Sequence, residues 1–479
     1  MNKEKIFSEK NIFILLIVFA LFYLAFFYAQ AKNNPEKNYY PLQGNTHDKL
    51  VENALNYYKS VDIRALVISR PGTDIQFLGK KVFWNILGGN FDHTVSWIGP
   101  SEGFIAIDRN KDGIINDHSE IIGGANVSGF TEIATLDDNA DSIIDERDAA
   151  YHMLVVLPGG VRPQRARMVH LSDFGIRSIP VRPQQILSTW EQEVKEKSLL
   201  DLSFYLEEKS NRIMSYAMGV GVNGGKFQLA DVRLSFDRTN TKYNKGLERF
   251  DPRAVVLPNH RGYGSLMQLA AAVSWDNDIN NPSSLISLLY KMGQLSMAEL
   301  FLDGSGGYAL SEKILYRWAK ADTIDPSSRG GNMDARQITF MEALEGRPFF
   351  QLGYLPNPRP VSASKYKGAY DVSLKQLGAR FMAQSQGKRL FTEGLRYNPY
   401  TDEFAGTYRL DPDAVQVLFN YSKTVKNPKA YWENVLRFVD AVYGLNKLTQ
   451  QERDVFNYTI SSSVSGQNLQ STINAIKID

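Results

Sequence analysis

The chain of 479 residues contains no cysteine, which excludes disulfide bonds, thiolate nucleophiles and cysteine-ligated zinc sites. The chain also lacks a strong excess of charge of either sign, because its 54 basic and 52 acidic residues give a net charge of only +2. Nucleic acid is therefore not an expected partner, since it requires a concentrated basic surface. The sequence also lacks an HExxH pair, a GxSxG elbow, a P-loop lysine and the glycine-rich nonapeptides of calcium β-rolls, so it carries none of those signatures.

One long apolar run is present near the N-terminus. Lys3, Lys5 and Lys10 precede the 17 residues of this run, 12–28, and the small-residue segment Ala29–Ala31 follows it. A spanning helix needs roughly 17 to 25 residues, so the length favours an uncleaved signal anchor. The segment Ala29–Ala31 favours a cleaved signal peptide. In both cases we expect the bulk of the chain to be exported, and we favour membrane anchoring over full secretion, with the lysines inside.

The remaining chain changes from strand-like to helix-like patterns. Short alternating segments such as ALVIS, TVSWIG, FIAID, RIMSYAMGV and FQLADVRLSF predict strands, whereas the sequence beyond residue 257 has helical periodicity. The fold class is therefore predicted to be α+β, a β-rich calcium-loop module followed by a mostly α-helical region, with an N-terminal hydrophobic helix. The predicted divisions are a signal segment 1–31, a polar stalk 32–60, the module 61–250 with a charged helical insert at 188–211, a helical region 251–355 and a C-terminal helical region 362–479.

Loop 1, Asp108–Glu120, has the pattern of a calcium-binding loop. Short oxygen-bearing side chains stand at its first, third and fifth positions, and Ca²⁺ takes about six to eight oxygen ligands. The expected ligands are Asp108, Asn110, Asp112, the carbonyl of Ile114 and Glu120. Gly113 suits the tight turn at the sixth position, but Glu120 closes the loop one place later than the usual twelfth position.

Loop 2, Asp137–Asp148, repeats this pattern 29 residues later. The expected ligands are Asp137, Asn139, Asp141, the carbonyl of Ile143 and Asp148. Ser142 replaces the turn glycine and Asp148 is shorter than the usual glutamate, so weaker binding is expected here.

The apolar residues inside the two loops carry further expectations. The side chains of Ile114 and Ile143 are expected to anchor the loops, and Ile115 and Ile144 suit the short strand that joins paired loops. The alternative for either loop is an Asx-rich turn without metal, but two loops in register favour calcium.

Four segments carry a resemblance to a known family: WIGPSEGFIAIDRNKDGIIND, GFTEIATLDDNADSIIDERDAAYHMLVV, HLSDFGIRSI and ADVRLSFDRTNTKY. In order and spacing they resemble the self-processing, or clip-and-link, module of FrpC-type RTX proteins. The later segments LPNHRGYGSLMQLAAAVS and ILYRWAKADTIDPSSRGGNMDARQITFMEALEGRPF resemble regions that adjoin such modules. The resemblance covers roughly residues 61–350 and implies folding driven by calcium.

The resemblance also implies a self-cleavage reaction. In the family, an Asp-Pro bond at the N-terminal edge of the module breaks when the Asp side chain attacks its own carbonyl, and the freed carboxyl can be joined to a lysine amine. Here Asp62 is followed by Ile63 instead of proline, and the neighbouring calcium acids are replaced by Val67, Ser69 and Pro71. We therefore expect no self-cleavage at Asp62.

Asp251-Pro252 is a second Asp-Pro pair, and it lies after the module, where a linker turn explains it. The sequence thus favours a non-catalytic, calcium-stabilised extracytoplasmic protein with calcium and the membrane as partners. One alternative is a calcium-triggered autoprotease or protein cross-linker acting at Asp62 or Asp251. Another is a toxin- or adhesin-like protein that binds an unknown protein partner.

Overall fold

The computed structural model describes residues 63–77, 80–125, 127–160, 166–187, 211–244, 250–349, 351, 356–392 and 394–477. Four sequence expectations lie outside these residues: the N-terminal apolar helix, the polar stalk, Asp62, and the helical insert up to residue 210. Among the described residues, no helix is both long and apolar enough to cross a membrane.

The first half is built from short strands, and the described ones are β1 (Ile63–Ser69), β2 (Lys81–Trp84), β3 (Phe91–Ser96), β4 (Glu102–Ala106), β5 (Gly123–Ala125), β6 (Ile143–Ile144), β7 (Val155–Pro158), β8 (Val169–His170), β9 (Ile179–Pro180), β10 (Gln185–Ile186), β11 (Arg212–Val220), β12 (Lys226–Arg233) and β13 (Phe236–Tyr243). The main sheet has the order β10-β11-β12-β1-β4-β7-β8, with β5 also paired to β1, and its pairs are antiparallel. A smaller sheet has the order β13-β3-β2. Five of these strands, β1, β3, β4, β11 and β12, overlap the segments predicted from alternation.

Strand β1 lies in the centre of the main sheet, and all seven of its residues are buried. Side chains alternate between the two faces of a strand. Leu66 and Ile68 therefore pack into one hydrophobic core, here called core A, with Ile105, Val156 and Leu229. Ile63, Ala65 and Val67 pack into core B on the other face, with Trp84, Trp97 and Phe104. Burial on both faces explains the continuous apolar run in this strand.

The hairpin between β11 and β12 contains the GVGVNG sequence. Gly224 has φ +75°, which glycine adopts without steric cost, and its N–H donates to the Gly221 carbonyl over 3.0 Å. The motif is followed by a strand and not by a helix, as its alternating continuation predicts. It is therefore a β-turn and not a dinucleotide-binding loop.

One short helix, α1 (Gly129–Ile133), lies in the sheet region. The second half is mostly helical, and its described helices are α2 (Leu269–Trp275), α3 (Leu285–Gln294), α4 (Gly307–Trp318), α5 (Ala335–Glu345), α6 (Pro360–Ala383), α7 (Pro412–Ser422), α8 (Pro428–Val442), α9 (Gln450–Ser463) and α10 (Leu469–Ile476). The predicted α+β class is confirmed for the described residues. Local signals explain the helix starts: α6, α7 and α8 begin with proline, and a Thr449–Glu452 capping box begins α9. One strand pair, β14 (Arg396–Asn398) with β15 (Glu403–Ala405), interrupts the helices.

A buried polar cluster centred on Asp402 ties the helical half together. The hydroxyls of Tyr263 and Tyr397 each donate to the Asp402 carboxylate over 2.8 Å. The Arg380 side chain on α6 also donates to it, and Nε2 of the fully buried His260 lies 3.4 Å away. Burial alone raises the pKa of Asp402, but the attraction of the nearby His260 and Arg380 side chains outweighs it and holds the pKa well below its usual range. The carboxylate thus joins the loop before α2 to α6 and the β14–β15 turn.

His260 is not placed to act as a catalytic base. Its Nδ1 accepts a hydrogen bond from the Gly262 N–H over 3.1 Å, so its proton is on Nε2, which faces Asp402. Nδ1 is therefore engaged, and Nε2 lies buried beside Asp402 without a geometrically good hydrogen bond.

A second buried histidine, His93 on β3, makes the stability of the protein depend on pH. Its ring meets the Phe236 ring edge-on at 5.7 Å. Burial, helped by the nearby Arg238 charge, lowers the pKa of His93 to about 4, from 6.5. The unfolded chain therefore binds a proton between these values that the folded chain does not, so stability present at pH 7 is lost as the pH falls from 6.5 towards 4.

We predict that His93→Gln removes this pH-dependent part of the free energy of unfolding, which amounts to at most about 3 kcal/mol. The measurement is the free energy of unfolding by urea at several pH values between 7 and 4. The matched control is His152→Gln, because His152 is exposed. Equal pH dependence in the two variants would contradict the assignment.

Candidate metal centre

Loop 1 follows β4 and turns its oxygen-bearing side chains inward onto its own backbone. The N–H groups of Asp112 and Gly113 donate to the two carboxylate oxygens of Asp108, over 3.2 and 2.9 Å. The Asp112 N–H also donates to Asn110 Oδ1, and the Ile114 N–H donates to Asp112 Oδ1, both over 2.9 Å. The first, third and fifth side chains are therefore held on the inside of one turn.

The closing acid of loop 1, Glu120, is only 3% exposed. Its Oε2 accepts the Asn116 N–H over 2.7 Å, whereas Oε1 is buried without a hydrogen-bond partner. An unpaired buried carboxylate oxygen is costly unless a cation or donor meets it. The one-residue delay in the position of Glu120 is absorbed by a short 3-10 helix, His118–Glu120, which Asp117 caps.

Loop 2 repeats three of these four internal bonds. The Ser142 N–H donates to Asp137 Oδ2 and the Asp141 N–H to Asn139 Oδ1, both over 2.9 Å. The Ile143 N–H donates to Asp141 Oδ1 over 3.1 Å. Oδ1 of Asp137 is buried without a partner, so this loop also keeps one unpaired carboxylate oxygen.

The closing side of loop 2 differs from that of loop 1. Both oxygens of Asp148 accept main-chain N–H groups over 2.9 Å, one from Asp145 and one from Asp138. The Arg147 guanidinium forms ion pairs with Asp141 over 2.5 Å and with Asp145 over 2.8 Å. A side-chain cation therefore already neutralises two of the acids in this loop.

The ninth position of each loop supplies oxygen-bearing residues that the sequence analysis missed: Asn116 in loop 1 and Asp145 in loop 2. The ninth position is a ligand position in EF-hand loops, often through water, and counting along the loops would have found both. Asn116 hydrogen-bonds the Asp112 side chain over 2.6 Å, and this bond, with the Ile114 N–H, lowers the pKa of Asp112. Hydrogen bonds from Arg147 lower the pKa of Asp145. Both acids are therefore ionised at neutral pH.

The two loops do not form a joined pair, so the expected strand between Ile115 and Ile144 is wrong. Ile144 pairs instead with Ile179 of β9. Ile115 packs into core B and Ile144 into core A, on opposite faces of the main sheet. The anchor of loop 1 is Ile115, because the Ile114 side chain is 46% exposed, contrary to expectation.

The donor set suits calcium in its chemistry, since it consists of carboxylate, amide and main-chain oxygens. Within the described residues, no three or more His, Asp and Glu side chains are grouped so that they could hold a metal ion by themselves. The expected set in each loop also includes an Asn amide and an Ile carbonyl. Each loop has one unpaired carboxylate oxygen, but only in loop 1 does it belong to the closing acid, because both oxygens of Asp148 accept N–H groups. Loop 1 is therefore the better fit of the two.

The backbone conformation is the same in both loops and explains the role of the sixth position. The fourth and sixth residues have positive φ: Lys111 60° and Gly113 83° in loop 1, Ala140 58° and Ser142 74° in loop 2. This region favours glycine, and a side chain there costs about 1 kcal/mol. Ser142 is therefore strained where Gly113 is not.

We predict that Ser142→Gly raises the free energy of unfolding by about 0.5 to 1 kcal/mol, because relief of strain exceeds the added freedom of the unfolded chain. Gly113→Ser is the matched reverse change and is expected to lower it by a similar amount. A Cβ added at Gly113 would meet no atom within 4 Å, so a steric clash does not complicate the comparison. Urea unfolding of both variants measures the effect, and changes of the same sign would refute it.

The region that contains both loops is similar to known proteins. A family model described as the SPM domain matches residues 66–212. The Iron-regulated protein FrpA of Neisseria meningitidis serogroup C is 23% identical over 276 residues, which cover 54% of this chain and 22% of FrpA. The chain thus spans about a fifth of the length of this relative. These similarities confirm part of the resemblance, namely a relationship to FrpA, whereas the self-processing module stays a prediction.

Proposed function

We propose that this chain is an extracytoplasmic, RTX-related protein that binds calcium through loops 1 and 2 and uses it for structure and not for catalysis. The observation that carries the proposal is the shared frame of the two loops, in which inward oxygens surround the turn and a buried carboxylate oxygen is unpaired in each. Hard cations favour such all-oxygen sets. The similarity to FrpA supports the RTX-related part of the proposal.

In loop 1 the ligands would be Asp108, Asn110, Asp112, the Ile114 carbonyl and Glu120, and in loop 2 Asp137, Asn139, Asp141, the Ile143 carbonyl and Asp148. Bound calcium would supply the positive charge that these oxygens lack. Loop 1 is the stronger site, because its closing acid Glu120 keeps an unpaired oxygen, whereas both oxygens of the closing acid Asp148 accept main-chain N–H groups. Loop 2 is weaker, because Arg147 already pairs with Asp141 and would have to give way.

The attachment of the loops explains why metal binding would stabilise the protein. Loop 1 is closed at its base by a hydrogen bond from the Ile107 N–H to the Glu120 carbonyl over 2.8 Å, and Ile115 reaches core B. Loop 2 reaches core A through Ile144. An ordered loop therefore keeps its isoleucine packed in the core on one face of the sheet. Since calcium would bind only the ordered loop, it would stabilise the folded state by mass action.

We predict that calcium raises the unfolding free energy of the full chain by about 3 kcal/mol at a hundredfold excess over Kd. Isothermal titration should show a tighter and a weaker site, and Glu120→Gln should weaken the tighter one at least tenfold, because it removes a charged ligand. Glu146→Gln is the matched control, since Glu146 lies in loop 2 but its side chain is exposed.

The calcium proposal fails if Asp108→Asn combined with Asp137→Asn leaves the thermal response to calcium unchanged. It also fails if the wild-type chain shows no response to millimolar calcium. Magnesium is a useful comparison, because it demands a more regular geometry and is expected to stabilise less.

The non-catalytic part of the proposal is supported by the surroundings of Asp251. Its carboxylate accepts hydrogen bonds from the Arg253 N–H over 2.9 Å and from the Arg253 side chain over 2.6 to 3.2 Å. The Asn277 amide donates to it over 3.0 Å. These bonds hold the pKa of Asp251 well below its usual range. The carboxylate caps the 3-10 helix Pro252–Val256, and it is not positioned as a nucleophile.

We predict that the purified chain stays intact in millimolar calcium, because Ile63 replaces the scissile proline and Asp251 is held by Arg253 and Asn277. A denaturing gel sampled over hours, with intact mass spectrometry, measures this. Two calcium-dependent fragments ending at residue 62 or 251 would establish the autoprotease alternative. Arg253→Ala, which releases the Asp251 carboxylate, is a stringent control and is expected to remain uncleaved.

A further inference from the structure

Loop 2 places four carboxylates at the ligand positions of the calcium-loop pattern. They are Asp137, Asp141, Asp145 and Asp148, at the first, fifth, ninth and twelfth positions. Loop 1 has three such carboxylates, because its ninth position is Asn116. Like charges held in one turn repel each other. Loop 2 therefore has a greater need than loop 1 for a positive charge that keeps it closed.

The Arg147 side chain supplies such a charge between two of these acids. Its Nη2 lies 2.5 Å from Asp141 Oδ2 and 2.8 Å from Asp145 Oδ2. Its Nε also donates to both oxygens of Asp145, over 3.0 and 3.2 Å. One nitrogen thus contacts oxygens from the fifth and ninth positions at once. A calcium ion in the loop would meet the same two positions, at distances of about 2.3 to 2.6 Å.

The arginine of loop 1 is held differently. The Arg109 guanidinium donates to Glu132, which lies outside the loop, over 2.5 Å. The side chain that contacts the fifth-position acid is instead the Asn116 amide, whose Nδ2 lies 2.6 Å from Asp112 Oδ2. An amide can turn and present its oxygen to a metal, whereas a guanidinium has donors only. Asn116 can therefore become a ligand where it stands, but Arg147 has to leave.

The exposure of the ion pairs makes this departure possible. The Arg147 side chain is 60% exposed, and those of Asp141 and Asp145 are 30% and 20% exposed. Ion pairs that are open to solvent contribute little to stability and are screened by salt. A doubly charged ion that meets several oxygens at once can therefore replace the guanidinium.

We propose that Arg147 is a built-in substitute for calcium, which holds loop 2 closed in the absence of the ion and must leave before calcium binds. This rests on the proposed calcium function and adds its regulation. Loop 1 has its arginine outside the ligand set, so it fills at a lower calcium concentration. Loop 2 exchanges a side-chain cation for a metal ion at a higher one, which gives the chain two calcium thresholds.

Hydrogen exchange of the full chain, followed by mass spectrometry of its peptides, tests this role of Arg147. Peptides that cover residues 108–120 and 137–148 report on the two loops separately. Exchange is measured in EGTA and at rising concentrations of free calcium. The variant is Arg147→Met, which removes the cation without adding an oxygen that could bind calcium. Peptides from β12 show whether the sheet stays folded.

Arg177→Met is the matched control. Arg177 is also exposed, and its charge lowers the pKa of Asp145, but less than Arg147 does. An effect of overall charge would appear in both variants, whereas occupation of loop 2 is specific to Arg147.

In EGTA, we expect loop 2 of Arg147→Met to exchange about fivefold faster than in the wild type, because its acids lose their counter-charge. The calcium concentration at the midpoint of loop 2 protection should fall about tenfold, the scale of two partly exposed ion pairs. Loop 1 should keep the same midpoint in both proteins. Arg147 thus stabilises the loop without calcium and opposes calcium binding, and a merely structural side chain would not give this pair of opposite effects.

The substitute role of Arg147 is overturned if Arg147→Met leaves either the exchange in EGTA or the calcium midpoint of loop 2 unchanged. It is also overturned if Arg177→Met has effects of the same size. If loop 1 responds to calcium and loop 2 responds in neither protein, the role is again overturned, but the calcium proposal stands for loop 1. Protection of loop 2 by calcium in Arg147→Met alone would support the role. If neither loop responds in any variant, the calcium proposal itself fails, and the two thresholds fail with it.

Discussion

Strand β1 is the constraint on which the sheet region depends. All of its residues are buried, and it pairs with β12 on one side and with β4 and β5 on the other. Its alternating side chains divide the packing into core A and core B. Each core receives one isoleucine from a loop, Ile144 in core A and Ile115 in core B, so the two loops are attached to the packing on opposite faces of the same strand.

The two loops are best understood as independent copies of one local design. Three of their hydrogen bonds and both positive-φ residues correspond position by position, because these features arise within a dozen residues of chain. Their closing acids do not correspond. Glu120 retains a buried oxygen without a partner, whereas Asp148 is saturated by main-chain amides and a neighbouring arginine occupies the acids of loop 2. The same sequence pattern therefore leaves an oxygen of the closing acid open in one loop and fills both oxygens of the closing acid in the other.

Local features could be predicted from the sequence, and long-range ones could not. The alternation that predicted β11 and β12, and the periodicity that predicted α8, depend on neighbours along the chain. The pairing of Ile144 with Ile179 and the gathering of His260, Arg380 and Asp402 depend on contacts between distant segments, which leave no spacing to read.

The position of β1 in the chain also sets the order in which the fold can assemble. Its partner β12 lies more than 150 residues later, and the buried ion pair of Arg64 with Asp231 closes a loop of 167 residues. Closing so large a loop is entropically costly and slow. During synthesis, the central strand therefore has no partner on its β12 side until residue 233 is available. Until then, the hydrophobic β1 must be kept from pairing with other strands. Early folding of the loop regions between β1 and β12 would shorten the length of disordered chain that has to be closed when these two strands pair.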